Sequence, residues 1–458
     1  MKRTHRLILA ALCAGAAAPA SAQTSLTIYN DGRVLMRRTL PGRIPAGDSE
    51  HRLALGALDP GSLFSLEAGV TLLGAAYDAA VDEANTMRRA VGRMLVFETG
   101  RMTDNIADTV VVEVLGVEPD RFRLPDGRVT FQRPGRPRYP AELIQIEPTL
   151  TVSVRSRAAR DGLPLGWFRG GASWSAAYQV LLGPNGARIE GSAVIPSDGL
   201  SVDSAEVQLL AGEVGRVVQP PMGPRQRLGL AAEMRADAGY ASEETVGEVH
   251  LYSLPARVTL RPGVTTTNAL FQPATAPYER RYVVRGQIPW YGPFQQEVGE
   301  QTPPVEVHYV LERPRNTEFG DRPLPAGVHR IYEPDGQGRA QLVGEASGGH
   351  TAAGQPLRLR AGDAFDITAR RVQTEYTTRR DTVRGSLRTL ATVGYRVTIA
   401  NAKDSAVTVE VLEQRRGEWR VLDSSLPAER VSATETRFRV RVPAQGEATL
   451  TYRVQVVW

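Results

Sequence analysis

The feature that most constrains this chain is a hydrophobic period of two that recurs towards its C-terminal end. Ala448, Leu450, Tyr452, Val454, Val456 and Trp458 alternate with Thr449, Thr451, Arg453, Gln455 and Val457. Phe438, Val440 and Val442 alternate with Arg437, Arg439 and Arg441; Tyr395, Val397 and Ile399 alternate with Arg396 and Thr398; Val407, Val409 and Val411 alternate with Thr408 and Glu410. Successive side chains of a strand point to opposite faces, so each run has one face for a core and one for water. Turn residues at 401–405, at Arg416-Gly417 and at 443–446 separate the runs at short intervals. That spacing predicts an immunoglobulin-like β-sandwich over 387–458.

The same signal extends upstream. Residues 25–29 read as a strand closed by the turn Asn30-Asp31-Gly32, and 34–39 and 51–55 as further strands. Val81, Ala84, Met87, Val91 and Leu95 have helical spacing and predict a helix over 79–94. Residues 110–117 read as a strand and 122–131 as a hairpin around Asp126-Gly127. A second β block runs over 150–214, with a hairpin turn at Pro184-Asn185-Gly186. Residues 220–244 are rich in Ala, Gly, Met, Arg and Glu and poor in β-branched residues, which predicts a mobile linker. The expected fold class is all-β and mainly antiparallel, with tandem sandwiches and one or two short helices. The expected segments are 23–148, 149–386 and 387–458.

Ahead of these lies a secretory layout. Lys2, Arg3 and Arg6 precede the apolar run 7–18, and Ala20-Ser21-Ala22 supplies the small residues of a cleavage site. The run is too short for a spanning helix. A signal peptide over 1–22 is expected, with Gln23 as the first mature residue and no transmembrane segment after cleavage. Cys13 is the only cysteine and falls inside that segment, so the mature chain cannot form an internal disulfide. Stability must come from burial, and at this length from several cores. The chain is expected in the periplasm or at the cell surface. Arginines are scattered among acids, with no basic run interleaved with aromatics, so nucleic acid is not an expected partner. The expected partner is an envelope protein or glycan.

Signatures of chemistry are few. H-E-x-x-H, the phosphate-binding G-x-x-x-x-G-K-[ST] and the EF-hand loop do not occur, and Gly171-Ala172-Ser173-Trp174-Ser175 lacks the second glycine of a nucleophile elbow. His51, His250, His308, His329 and His350 show no metal-ligand spacing. No cofactor is expected. One segment offers a candidate site: His350 in the turn Gly348-Gly349-His350-Thr351, with Asp363 and Asp366 following. A His–Asp pair is the orienting half of a general-base site. The structural alternative, which the absence of a nucleophile favours, has these side chains satisfying backbone groups at a strand corner. Trp167, Phe168, Trp174, Tyr178, Trp290 and Tyr291 are expected to fill cores rather than to stack on sugars. The alternatives to a binding protein are a hydrolase of envelope glycan or peptide centred on His350 and Asp366, and an outer-membrane β-barrel suggested by the closing strand.

A family resemblance covers roughly 149–458. Ala172-Ser173-Trp174-Ser175-Ala176-Ala177-Tyr178, then Glu206-Val207-Gln208-Leu209-Leu210-Ala211-Gly212-Glu213, then Leu251-Tyr252-Ser253-Leu254-Pro255 occur in this order. Leu324-Pro325-Ala326-Gly327, Arg330-Ile331-Tyr332, Gly344, His350-Thr351, Asn401-Ala402-Lys403 and Gly417-Glu418-Trp419 complete the set. Together they resemble domain-of-unknown-function family 4139, some of whose bacterial members are described as mucoidy inhibitor A-like. The resemblance implies a β-rich, exported protein and supplies no catalytic residues. The coiled coil of the mucoidy inhibitor A-like proteins has no counterpart in this sequence.

Overall fold

The computed structural model describes residues 24–103, 106–214, 241–288, 299–383, 386–415 and 417–457. The expected signal segment, Trp290, Tyr291, Trp458 and residues 220–240 of the expected linker lie outside them. Among the described residues strand accounts for 64 % and helix for 4 %, so the fold is all-β, and its sheets are mostly antiparallel. No described sheet closes into a barrel. Among the described residues no helix is long and apolar enough to cross a membrane.

Two compact units are present. The first holds residues up to Ser173 with Ser197–Gln208 and Ala256–Val264. In it Thr24–Tyr29 pairs with Val34–Ile44, which pairs with Arg160–Arg169. Thr149–Ser156 is flanked by Gly47–Ala54 and Val70–Asp78. A five-stranded sheet includes Met94–Thr103, Ile106–Val117 and the expected hairpin of Asp120–Arg123 with Val129–Thr130. The helix expected over 79–94 is confined to Glu83–Arg89. Asp82 caps its first turn by accepting from the Asn85 N–H at 2.9 Å, and the left-handed Gly92 (φ 80°) turns the chain into the strand. Met87 is buried against Phe97 and Phe122, whereas Val81 and Val91 stay exposed outside the helix.

The second unit holds Trp174–Pro196, Leu209–Pro255 and Thr265–Trp458. Ser175–Gly183 pairs antiparallel with Gly186–Ser197 and parallel with Gly327–Pro334, which pairs with Ala340–Gly348. The C-terminal sandwich packs a four-stranded sheet on a six-stranded one around Val284, Tyr395, Val411, Phe438 and Tyr452. It starts well before residue 387. Ile367–Val383 pairs with Ser386–Asn401 along its whole length, and Tyr278–Gln287, Val305–Leu311 and Leu357–Asp363 join the larger sheet. Ser242–Val246, whose first residues fall in the expected linker, is a strand paired with Val249–Ser253.

The sandwich core contains an ion pair. Arg371 and Glu413, with side chains 2 % and 0 % exposed, meet through Nε–Oε1 at 2.9 Å and Nη2–Oε2 at 3.0 Å. The Tyr452 hydroxyl donates to Glu413, Gln301 accepts from Arg371 at 3.0 Å, and the guanidinium lies 3.7 Å from the Tyr395 ring centroid. Gly286 is needed beside this pair, because a Cβ there would overlap the Glu413 carboxylate.

Candidate functional site

The sequence places its candidate site where Ala340–Gly348 runs out into a glycine turn. There Leu324 and Thr351 exchange two backbone hydrogen bonds of 2.9 Å, which holds residues 323–327 against the turn. His350 is exposed, and its Nδ1 accepts the Ala326 N–H at 3.2 Å. With Nδ1 accepting, the neutral ring carries its proton on Nε2. Asp363 accepts from its own strand neighbour Arg360 at 2.8 Å. Asp366 faces Lys403 Nζ at 3.3 Å, and its carbonyl accepts the Ala402 N–H. No hydrogen bond or ion pair joins His350 to either aspartate. The structure therefore assigns each of the three a separate local partner.

Two histidine–carboxylate pairs occur elsewhere among the described residues. His308 Nε2 lies 2.8 Å from Glu306, and His250 Nδ1 lies 2.6 Å from Glu243. Glu306 and His308 are two apart on one strand and so share a face, a signal the period of two could have given. Burial would raise the Glu306 carboxyl, but the bonds from His308 and Arg285 hold it below its ordinary value. The residues opposite His308 are Arg281 and Arg360. The Glu306 carboxylate, shared by the His308 imidazole and the Arg285 and Arg360 guanidiniums, anchors charge and is poorly placed to take up a proton.

The residues that do converge are those around 323–327. The Tyr178 hydroxyl donates to the Pro325 carbonyl at 2.7 Å and that of Tyr252 to the Pro323 carbonyl at 3.1 Å. Burial raises both phenols above their ordinary range, which keeps them protonated donors. Trp174, with its ring centroid 6.3 Å from that of Tyr252, donates Nε1–H to the Leu210 carbonyl at 3.0 Å. Trp174 and Tyr178 are buried, as is Trp167 in the first unit, in agreement with the core reading of these aromatics. Arg322 reaches the Ala241 and Leu270 carbonyls at 3.1 and 3.3 Å. Beneath the segment, buried Arg313 donates to the carbonyls of Phe319, Arg322, Ala352 and Gln355, with its guanidinium 4.9 Å from the Phe319 ring centroid. A cleft of about 220 Å³ beside it is lined by Ala276, Glu312, Thr317, Glu318 and Phe319 among others, and by none of His350, Asp363 and Asp366.

Close packing at the foot of this segment gives a direct test. A Cβ on Gly327 would overlap the Ala176 carbonyl of the parallel neighbour strand. Gly327→Ala is expected to destabilise the second unit by about 2 kcal/mol, the usual scale for forcing an extra methyl into a packed site. Urea unfolding checks it, and a midpoint equal to that of the parent chain would show that the strands part easily here.

No protein-family model matches this chain. No curated protein matches it either.

Proposed function

We propose that this chain is an exported, non-enzymatic binding protein of the bacterial envelope, acting in the periplasm or at the cell surface through its β-domain surfaces. The observation that carries the reading is the engagement of His350. Its Nδ1 is occupied by a backbone N–H, and the two aspartates that could orient it have other partners. The secretory layout of residues 1–22 supports export. The resemblance to family 4139 belongs to the same proposal. Several of its pieces, at Trp174, Tyr178, Leu210, Tyr252, 324–327 and 350–351, meet around one loop segment, which suits a preformed binding platform.

The test uses the exported chain, recovered by cell fractionation and offered to envelope extract. His350→Ala and Asp366→Asn are each expected to shift stability by about 1 kcal/mol or less, because the His350 bond is exposed and the Asp366–Lys403 pair is only partly buried. Both variants should retain whatever the parent chain binds. A variant with an unchanged melt and a complete loss of function would put a hydrolytic site at His350 in first place. Recovery of the parent chain solely from the cytoplasm would remove the exported half of the reading.

A further inference from the structure

We propose that His329 is an acid-triggered latch that releases residues 323–327 from the tyrosine that holds them. His329 is 1 % exposed, on the strand that leaves this segment, and neither of its ring nitrogens has a hydrogen-bond partner. The imidazole lies flat on Tyr178, with centroids 4.3 Å apart and planes 9° from parallel. Gly348, on the neighbouring strand, leaves the room the ring occupies, since a Cβ there would overlap it. Tyr178 is the residue whose hydroxyl holds Pro325. The ring of His329 thus backs the tyrosine that clamps the loop.

A proton on His329 would create a buried cation whose two N–H donors have only the backbone at Gly327 and Ala346 nearby and no acceptor in hydrogen-bond geometry, which is costly unless water enters or the ring leaves. The surrounding groups give little help. On the strand of Tyr178 the facing titratable group is that phenol itself, and beyond it stand the Tyr252 phenol and the Arg313 guanidinium. The strand Ala340–Gly348 presents Ala346 opposite His329 and Gly348 beside it, neither charged. On its own strand the next charge, Arg330, points to the opposite face and pairs with Glu345. Among the described residues no carboxylate faces the ring. The face of Tyr178 and the backbone at Gly327 and Ala346 favour a cation, yet burial outweighs them and pushes the imidazole from its ordinary 6.5 to about 4.

The direction in pH follows. Because the folded value is depressed, the clamped state is fully favoured above about 6.5, loses ground as pH falls towards 4, and changes no further on this account below 4. Release should be local. The Gly327–Gly348 pair ends this strand ladder and the Leu324–Thr351 bridge stands beyond it, so opening these contacts exposes the ring.

Hydrogen exchange of the full chain, read by mass spectrometry and corrected for the intrinsic pH dependence of exchange, tests the latch. Between pH 6.5 and 4, protection of the Leu324, Ala326 and Thr351 amides should fall on the order of a hundredfold, while amides of the sandwich strand Gly446–Val457 keep theirs. The two non-titrating variants His329→Leu and His329→Phe should lose that dependence. Unchanged protection of the parent chain across this window overturns the proposal, and so does an equal loss in a folded variant. If neither variant folds, the parent chain decides: loss confined to these segments supports the latch, and loss shared with Gly446–Val457 overturns it.

Discussion

Glu413→Leu is expected to destabilise the C-terminal sandwich by about 4 kcal/mol, because it leaves the Arg371 guanidinium charged and buried without its counter-ion. Arginine cannot escape by losing its proton. Burial opposes its charge, but Glu413 first, and then Tyr452 and Tyr395, hold it protonated well above its ordinary range. Arg371→Met is expected to cost somewhat less, about 3 kcal/mol, since Glu413 keeps the hydrogen bond from the Tyr452 hydroxyl. The double variant should recover much of both losses, because an apolar pair of similar volume needs no desolvation of charge. Urea unfolding of the four chains gives a double-mutant cycle with a coupling energy of about 2 kcal/mol or more. Additive losses would mean that the two side chains do not depend on one another, contrary to their geometry.

Arg371 also hides its strand from an alternation pattern. The runs after 387 were legible because their inward rows are apolar: Tyr395, Val397 and Ile399, then Phe438, Val440 and Val442, are all buried. In Ile367–Val383 the inward row reads Ile367, Ala369, Arg371, and an arginine in a core position breaks the alternation that marks a strand. The expected start at 387 therefore falls at about the turn of a hairpin whose register runs from Ile367 opposite Asn401 to Val383 opposite Ser386, and the first strand of the sandwich, Tyr278–Gln287, lies far upstream of it. The helix is shorter than its spacing predicts for a different reason. Val91 and Leu95 have helical spacing, but the helix ends at Arg89, the left-handed Gly92 turns the chain beyond it, and Leu95 is buried from a strand.

The candidate site was less legible than the fold. His350 was visible because it lies in a local glycine pattern, and its structural role at Ala326 was the favoured alternative. Its supposed partners were not partners, since nearness in sequence after a turn does not fix which side chains meet. The clamp was invisible to local patterns for the opposite reason. Tyr178 lies 147 positions from Pro325, and Tyr252 lies 71 from Pro323. Period and spacing carry no information on contacts of that range. The ordered motifs at 172–178, 206–213, 251–255 and 324–327 come nearer, because they include several of the pieces without showing that they touch.

Arg313 gives the second large effect. Arg313→Met is expected to destabilise the second unit by about 3 kcal/mol, and Arg313→Lys by a similar amount. The buried guanidinium serves four carbonyls in two segments: Phe319 and Arg322 on one side, Ala352 and Gln355 on the other. Burial lowers its affinity for the proton, so its hydrogen bonds and the Phe319 ring have to offset the cost of an enclosed charge. Methionine removes that cost but strands four acceptors, each of which loses part of a bond worth about 1–3 kcal/mol to a charged donor. Lysine keeps the charge, yet its three donors radiate from one atom and cannot reproduce the planar fork that spans both segments. Its stronger hydration also raises the cost of burial. The two substitutions thus fail by different routes to a similar extent, which separates a geometric role from a purely electrostatic one. Chemical unfolding of both variants measures this. If Arg313→Lys were as stable as the parent chain, charge alone would suffice at this position. If Arg313→Met were, the four carbonyls would have found water or other donors, and 319–327 would not depend on this residue for its shape.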